Sequence, residues 1–168
     1  MPRLIDTLAN EIDNPWQLLP RETTLDEALA APATQLLVNA ELWLEQHAAL
    51  GASGKTTAPW LDSDQEADLL AGLTDDLTLI ALNFPRFMDG RSYSTAFRLR
   101  QHHHYQGELR AIGDVLRDQL FYMRRCGFTT FDLVDSVKLE DARSAFGDFT
   151  TNYQSTIEEP QPLFRRRY

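Results

Sequence analysis

The sequence predicts an α/β fold in which repeated βα units form a mostly parallel sheet. From residue 35 onward, short apolar runs alternate with amphipathic helical patterns, as they do in strand–helix–strand units. The chain has 168 residues, of which 43% are apolar and 24% charged, so it can build one ordinary core. We therefore expect a single α/β domain over residues 1–150 and an extended tail over residues 151–168.

Residues 1–33 are predicted to form a peripheral addition to the sheet. Two short apolar runs, Leu4-Ile5 and residues 16–19, flank the turn-forming Asp13-Asn14-Pro15. This spacing is typical of a β-hairpin. Thr24 and Glu27 then have the spacing of a capping box, which predicts a short helix after the hairpin.

Five strands are predicted for the main sheet. They cover residues 35–38, 58–61, 77–84, 108–112 and 130–134. Periodicity leaves two arrangements open, an open doubly wound sheet and an incomplete barrel-like arc. In either arrangement ligands bind at the carboxyl ends of the strands, so the loops that follow strands 77–84 and 108–112 are the expected place for a site.

Capping patterns mark the helices between these strands. Ser63 and Glu66 predict a capping box for a helix after the second strand. Asp114 is expected to cap a helix over residues 115–126, and Ser136 to cap the last one. Each helix carries an apolar face that can pack on the sheet.

Charge and composition exclude several classes of function. The formal net charge of −9 opposes binding to nucleic acid or to an anionic membrane surface. No stretch approaches the roughly 20 apolar residues that cross a bilayer, and the N-terminus lacks a leader pattern, so we expect a cytoplasmic protein. The single cysteine, Cys126, excludes an iron–sulfur site within one chain, and the helical pattern predicts that its thiol is buried. No GxGxxG motif follows a strand, and we expect no cofactor.

Two motifs invite a functional interpretation and are better explained by structure. Residues 51–57 resemble a phosphate-binding P-loop, but Ala49 stands where that motif needs glycine, and the stretch joins a helix to a strand. We interpret it as a connection. His102-His103-His104 lie at the expected end of a helix without a companion ligand motif, and no metal site is predicted.

Residues 84–128 are unusual because they are locally basic. Arg86 to Arg125 contains eight arginines and four carboxylates, although the whole chain is acidic. A glycine-assisted turn there follows a strand, where an anion could bind, and Glu108 can pair with Arg100 or with Arg110. A turn with a helix cap and a structural ion pair remain the alternatives. The candidate anion-binding residues are Asp89, Arg91, Ser92, Arg100, Glu108 and Arg110.

The same region contains a candidate surface for a protein partner. Phe121 is predicted to point away from the apolar stripe of its helix and to be exposed among arginines, which is the composition of an interface hot spot. The chain ends on a second aromatic–arginine group, which is either a loose terminus or a docking peptide. The candidate partner-binding residues are Arg117, Phe121, Arg124, Arg125, Phe164, Arg165, Arg166 and Arg167.

Two runs in this region carry a family resemblance. They are FPRFMDGRSYS at residues 84–94 and YQGELRAIGDVLRDQLFYMRRCGF at residues 105–128. The chain resembles a bacterial family, domain of unknown function 934, whose genes lie beside the gene of the sulfite reductase haemoprotein. The resemblance implies a place in assimilatory sulfur metabolism, and some members are described as oxidoreductases of sulfite reduction. The family supplies no catalytic residues to transfer.

Two functions follow as expectations. The first is an accessory subunit that binds sulfite reductase haemoprotein or its electron donor, because the chain encodes no redox site of its own. The alternative is a small enzyme or ligand-binding protein of sulfur metabolism, which holds an anion after strands 77–84 and 108–112. Whether the chain is an enzyme is left open.

Overall fold

The computed structural model describes residues 3–147 together with Ile157 and Gln161. Two short 3₁₀ helices, Ala67–Leu70 and Thr74–Asp76, lie between the fourth and fifth strands. The strands and α-helices are β1 (Arg3–Asp6), β2 (Trp16–Leu18), α1 (Leu25–Ala30), β3 (Gln35–Asn39), α2 (Ala40–Ala52), β4 (Thr56–Leu61), β5 (Leu79–Phe84), α3 (Arg91–Gln101), β6 (Glu108–Gly113), α4 (Arg117–Arg125), β7 (Thr130–Leu133) and α5 (Leu139–Ala145).

The strands form one curled sheet in the order β1-β7-β6-β5-β4-β3-β2. Strands β2 to β7 are parallel, and β1 runs antiparallel to β7 at one edge. Because the order of β2 to β7 follows the chain without a reversal, the sheet is a half-barrel. The barrel-like arc is confirmed, and the doubly wound alternative is wrong. The five predicted strands are β3 to β7, each within two residues of its expected bounds.

Both faces of the sheet are buried. Residues such as Leu36, Leu82 and Ala111 share the outer face, where they pack with the helices. The alternate positions, including Leu37 and Trp60, line the concave face. Strands buried on both faces are expected to be apolar in nearly continuous runs, which is why their periodicity left the arrangement of the sheet open.

The predicted N-terminal hairpin is wrong. Strands β1 and β2 lie at opposite edges of the sheet, where they pair with β7 and β3. The turn occurs earlier than Asp13-Asn14-Pro15, since the Asp6 carboxylate accepts hydrogen bonds from the backbone N–H groups of Leu8 and Asn10 at 2.8 Å each. Residues 7–15 are here called the strap. They first turn back along β1, where Glu11 bridges Ile5, and then lead to β2 at the other edge, with Asn14 in contact with Arg110 on the concave face.

One predicted helix start is confirmed and one is wrong. Thr24 and Glu27 form the expected capping box of α1. Ser63 and Glu66 form none, and only a 3₁₀ helix follows them. The physical reason is competition: the Ser63 hydroxyl donates to Asp89 at 2.8 Å, so it is drawn away from the backbone of its own segment.

The last two helices begin later than predicted. Helix α4 starts after Leu116, whose backbone N–H donates to Gln119 Oε1 at 2.9 Å, while the Asp114 carboxylate accepts from Phe87 N. Helix α5 is preceded by Lys138, and Ser136 does not cap it. None of the helices in the described part of the chain is long and apolar enough to cross a membrane.

Candidate functional site

The carboxyl ends of β3 and β4 are joined by two buried carboxamides. Asn39 Nδ2 donates to Gln65 Oε1 at 3.0 Å, and Gln65 Nε2 donates back to Asn39 Oδ1 at 3.1 Å. Gln65 Oε1 also accepts from the backbone N–H of Asp62 at 2.8 Å. This reciprocal pair holds the loop after β4 over the sheet.

Asp62 extends the network to β5 and to Arg21. Its Oδ1 accepts from Asn83 Nδ2 at 2.9 Å, and its Oδ2 accepts from Arg21 Nη1 at 3.3 Å. Arg21 Nη1 also donates to Asp64 at 2.8 Å, and this hydrogen bond lowers the pKa of the Asp64 carboxyl. Arg21 therefore holds Asp62 and Asp64 around one guanidinium.

The predicted anion-binding residues Asp89 and Arg91 pair with each other. Arg91 donates from Nη2 to Asp89 Oδ2 at 2.7 Å and from Nε to Asp89 Oδ1 at 3.0 Å. These hydrogen bonds hold the pKa of Asp89 well below its usual range. Arg91 Nη2 also donates to Ser63 Oγ at 2.8 Å, so the pair is tied to the loop after β4.

Ser92 has a structural role in this arrangement. Its buried hydroxyl donates to the carbonyl oxygen of Asn83 on β5. The bond fixes the first turn of α3 against the end of the strand, and the hydroxyl is not directed toward a ligand.

A groove of about 360 Å³ lies beside Arg91, between α3 and the loop after β4. We call it the α3 groove. One wall is formed by residues at helical spacing on α3, and the other by the loop and the first turn of the 3₁₀ helix. Its lining residues are Ser63, Asp64, Gln65, Glu66, Ala67, Arg91, Ser94, Thr95 and Arg98.

Arg100 lies at the other end of α3 from Arg91. Nine residues of helix separate them by about 14 Å. Arg100 donates to the carbonyl oxygens of Tyr105 at 2.6 Å, Gly107 at 3.0 Å, and Gly127 at 2.8 and 3.0 Å. Burial lowers its pKa. Arg100 therefore holds loops together at the amino end of the sheet.

Glu108 and Arg110 lie on the concave face, away from both places. Arg110 is 2% exposed, and it donates to Glu108 Oε1 from Nη2 at 2.7 Å and from Nε at 2.9 Å. Its Nη1 donates to Asn14 Oδ1 of the strap at 2.9 Å. Glu108 thus pairs with Arg110 rather than with Arg100, and the six predicted anion-binding residues are divided among three places.

Asp132 is the unexpected group on the concave face. It follows Thr130 on β7 at the alternate position and so shares that residue's face, and the Thr130 hydroxyl donates to Glu108 Oε1 at 2.6 Å. Among the described residues, Asp132 Oδ1 is buried without a hydrogen-bond partner. Burial raises the pKa of Asp132, and the nearby Arg110 charge opposes that rise.

The expectation that Phe121 is exposed is wrong, because its side chain is only 8% exposed. Helix α4 lies between two neighbours: Tyr122 contacts Tyr93 of α3, and Arg124 lies over Phe146, just beyond α5. Both flanks are therefore covered. The guanidinium carbons of Arg124 and Arg125 lie 5.8 and 5.6 Å from the Phe121 ring centroid.

The remaining partner candidate of this helix, Arg117, donates to Ser144 of α5 at 3.3 Å. Phe164, Arg165, Arg166 and Arg167 lie outside the described residues.

A different set of apolar side chains is exposed on α3, on α4 and in the loop before α3. The exposed fractions are 50% for Phe87, 93% for Met88, 42% for Phe97 and 46% for Tyr122. Tyr93 connects two of them, since its ring lies 4.9 Å from that of Tyr122 and it precedes Phe97 by one helical turn. Phe87 lies beside α4, because its carbonyl oxygen accepts a hydrogen bond from Gln119 Nε2 at 3.4 Å, and Met88 follows Phe87 in the chain. We call these five residues the aromatic surface. The four-residue spacing of Tyr93 and Phe97 could have predicted from the sequence that the two rings share a face of α3. The contact between α3 and α4 could not be predicted in this way.

The thiol and imidazole groups form no metal site in the described part of the chain. Cys126 is buried as predicted, and burial raises the pKa of its thiol to about 11, so it is protonated at neutral pH. His103 Nε2 lies 2.9 Å from Asp68 Oδ1. No group of three potential metal-ligating side chains occurs among these residues.

Most of these features lie in a region that matches a known family model. Residues 58–164 match the model of a family described as "Bacterial protein of unknown function (DUF934)". No curated protein matches the chain. The matched region includes the α3 groove and the whole aromatic surface.

Proposed function

The chain belongs to the bacterial DUF934 family, and from that membership we propose that it is an accessory protein of sulfite reduction. In this role it docks on the sulfite reductase haemoprotein, or on its electron donor, through the aromatic surface. The connection with sulfite reductase comes from the family resemblance of residues 84–94 and 105–128. The docking role is supported by the exposure of Met88 and its aromatic neighbours.

The composition of the aromatic surface favours a protein partner. Four of its side chains are between 42% and 93% exposed. Large contiguous apolar patches are uncommon on monomeric proteins and usually mark interaction sites. Aromatic residues and methionine are also enriched at the centres of interfaces, where burial of a ring contributes most of the binding energy.

Charge near the aromatic surface favours an acidic partner. Arg86 is exposed next to Phe87, and Arg117 and Arg125 lie on the same helix as Tyr122. The stretch from Arg86 to Arg125 contains eight arginines and four carboxylates, although the chain as a whole carries a formal charge of −9. Arginines near an apolar surface steer an acidic partner toward that surface.

Binding between the purified chain and the sulfite reductase haemoprotein of the same bacterium tests this role. The Met88→Glu and Tyr122→Ser variants are expected to weaken binding by about ten-fold or more, as hot-spot substitutions do. Leu29→Ser, which changes an apolar side chain that is 37% exposed on α1, is the matched control and should bind normally. Biolayer interferometry measures all three.

Two outcomes would contradict the proposed role. One is the absence of a complex with either the haemoprotein or its electron donor. The other is unchanged affinity in both variants, which would place the interface elsewhere. Removal of residues 162–168 tests the sequence prediction for the C-terminal arginines in the same assay, and a shortened chain that binds normally would exclude them.

A further inference from the structure

We propose that the α3 groove is a binding site for a small oxyanion such as sulfate or phosphate. The groove lies after β4 and β5, at the carboxyl ends of parallel strands, where ligands bind in related α/β architectures. This inference is separate from docking at the aromatic surface, and either can fail without the other.

Arg91 and Arg98 supply the positive charge. They lie seven residues apart on α3, which separates them by about 10.5 Å along the helix axis and places them on the same wall of the groove. Arg91 uses Nε and Nη2 to hold Asp89 and Ser63, and its Nη1 makes no hydrogen bond among the described residues. The guanidinium is therefore oriented by the protein and still has a donor for a ligand.

Arg98 is held by two surface ion pairs, one with Glu66 and one, at 3.9 Å, with Asp68. Its Nη1 lies 3.2 Å from Glu66 Oε2, and the side chains are 46% and 73% exposed. An exposed pair of this kind contributes little to stability, so a ligand can replace Glu66 at small cost. Guanidinium groups match the geometry of oxyanions because two N–H bonds can point at two oxygens.

Hydroxyl groups line the space between the two arginines. Ser94 is exposed on the α3 wall, and Thr95 and Ser63 also line the groove. Ser63 is already fixed by Arg91 and Asp89, whereas Ser94 can turn its hydroxyl toward a bound anion. The combination of guanidinium and hydroxyl donors is suited to an oxyanion.

The groove lining also contains two carboxylates, Asp64 and Glu66, which would oppose the binding of an anion. Asp64 is paired with Arg21 at 2.8 Å, which offsets its charge. Glu66 and Asp68 both compete with a ligand for Arg98, and Glu66 is the nearer of the two. If the ligand is an anion, removal of the Glu66 charge must strengthen binding; if the ligand is a cation, the same change must weaken it.

Isothermal titration calorimetry with sulfate and with phosphate, in chloride buffer of matched ionic strength, tests the site. Wild-type protein should bind one anion. Glu66→Gln should bind up to about five-fold more tightly, the equivalent of one exposed ion pair. Arg98→Gln should bind at least about ten-fold more weakly, because a charge-assisted hydrogen bond is lost. Ser94→Ala should weaken binding less, and Arg143→Gln on α5 is the control that should not change it.

Three results would overturn the site. The first is that wild-type protein and Glu66→Gln both bind neither anion. The second is that Arg98→Gln and Arg143→Gln bind alike, since binding would then reflect overall charge. The third is that Glu66→Gln weakens binding. Because Glu66, Ser94 and Arg98 are exposed, their variants should fold, and circular dichroism confirms that before titration.

Discussion

At the scale of single residues, the buried charges divide into satisfied and unsatisfied groups. Arg100 meets three carbonyl oxygens, and Arg110 meets Glu108 and Asn14, so each guanidinium is surrounded by acceptors. Asp132 lacks a hydrogen-bond partner for one buried oxygen within the described residues. A buried polar group without a partner lowers stability, so Asp132 is the residue at which substitution should help.

Asp132→Asn is expected to raise the melting temperature at pH 7. Because burial places the folded pKa of Asp132 above its unfolded value, its favourable contribution is complete below the unfolded pKa and is lost as pH rises through the folded pKa. At pH 7 Asp132 therefore contributes less to stability than it does at low pH, and asparagine, which has no charge to bury, removes that penalty. The gain over wild type should shrink as the pH approaches about 4. Thermal unfolding at both pH values measures it; a lower melting temperature at pH 7 would mean that attraction to Arg110 outweighs burial.

Arg100→Met should destabilise the protein strongly. The methionine keeps an apolar stem of similar reach but leaves the carbonyl oxygens of Tyr105, Gly107 and Gly127 without this donor. Loss of hydrogen bonds to a charged group costs about 1.5–3 kcal/mol each, and 1 kcal/mol corresponds to about 2–4 °C in a chain of this size. Thermal melting should show a decrease of several degrees or more, with Arg98→Met, which changes an exposed arginine, close to wild type.

At the scale of elements, the strap between β1 and β2 is the least expected feature. It connects opposite edges of the half-barrel, and Asn14 lies over Arg110 on the concave face. Helix α4 is similarly defined by its neighbours: Gln119 caps it through Leu116, and α3 and α5 flank it. The path of the strap and the position of α4 are thus set by contacts between elements, which the local sequence pattern does not specify.

Asn14→Ala should loosen the strap. The change removes the acceptor for Arg110 Nη1, a hydrogen bond to a charged group worth about 1.5–3 kcal/mol. We expect a lower melting temperature and faster hydrogen exchange in residues 7–15 and in β6. Asp13→Ala, an exposed neighbour, provides the comparison. Equal exchange in the two variants would show that the strap is held by other contacts.

At the scale of the whole molecule, charge is distributed unevenly. The chain carries −9 overall, yet the stretch of sequence that contains Met88 and Tyr122 is rich in arginine. Long-range steering by such an arrangement depends on ionic strength, because exposed charges are screened over about 8 Å at physiological salt.

Association with the partner should therefore slow as salt is added. In the interferometry assay, the association rate should fall steeply between low and physiological salt, while the dissociation rate changes less. Arg86→Gln should flatten this dependence, and Arg143→Gln should leave it unchanged. A salt-independent association rate would show that the arginines do not steer the partner.

The sequence by itself determined the α/β class, the five central strands and the family. These depend on local signals: apolar runs, helical periodicity, the capping box at Thr24 and Glu27, and a specific motif over residues 84–128. The sequence also identified Arg91 as part of a polar region after β5. It did not predict the α3 groove, which Arg91 lines.

Only the tertiary structure decided between a half-barrel and a doubly wound sheet, placed β1 and β2 at opposite edges, and separated Arg91, Arg100 and Arg110. It also buried Phe121 and exposed Phe87 and Met88. The physical reason is the same throughout. Periodicity shows which side chains share a face of one element, whereas burial and pairing depend on which other elements lie against that face.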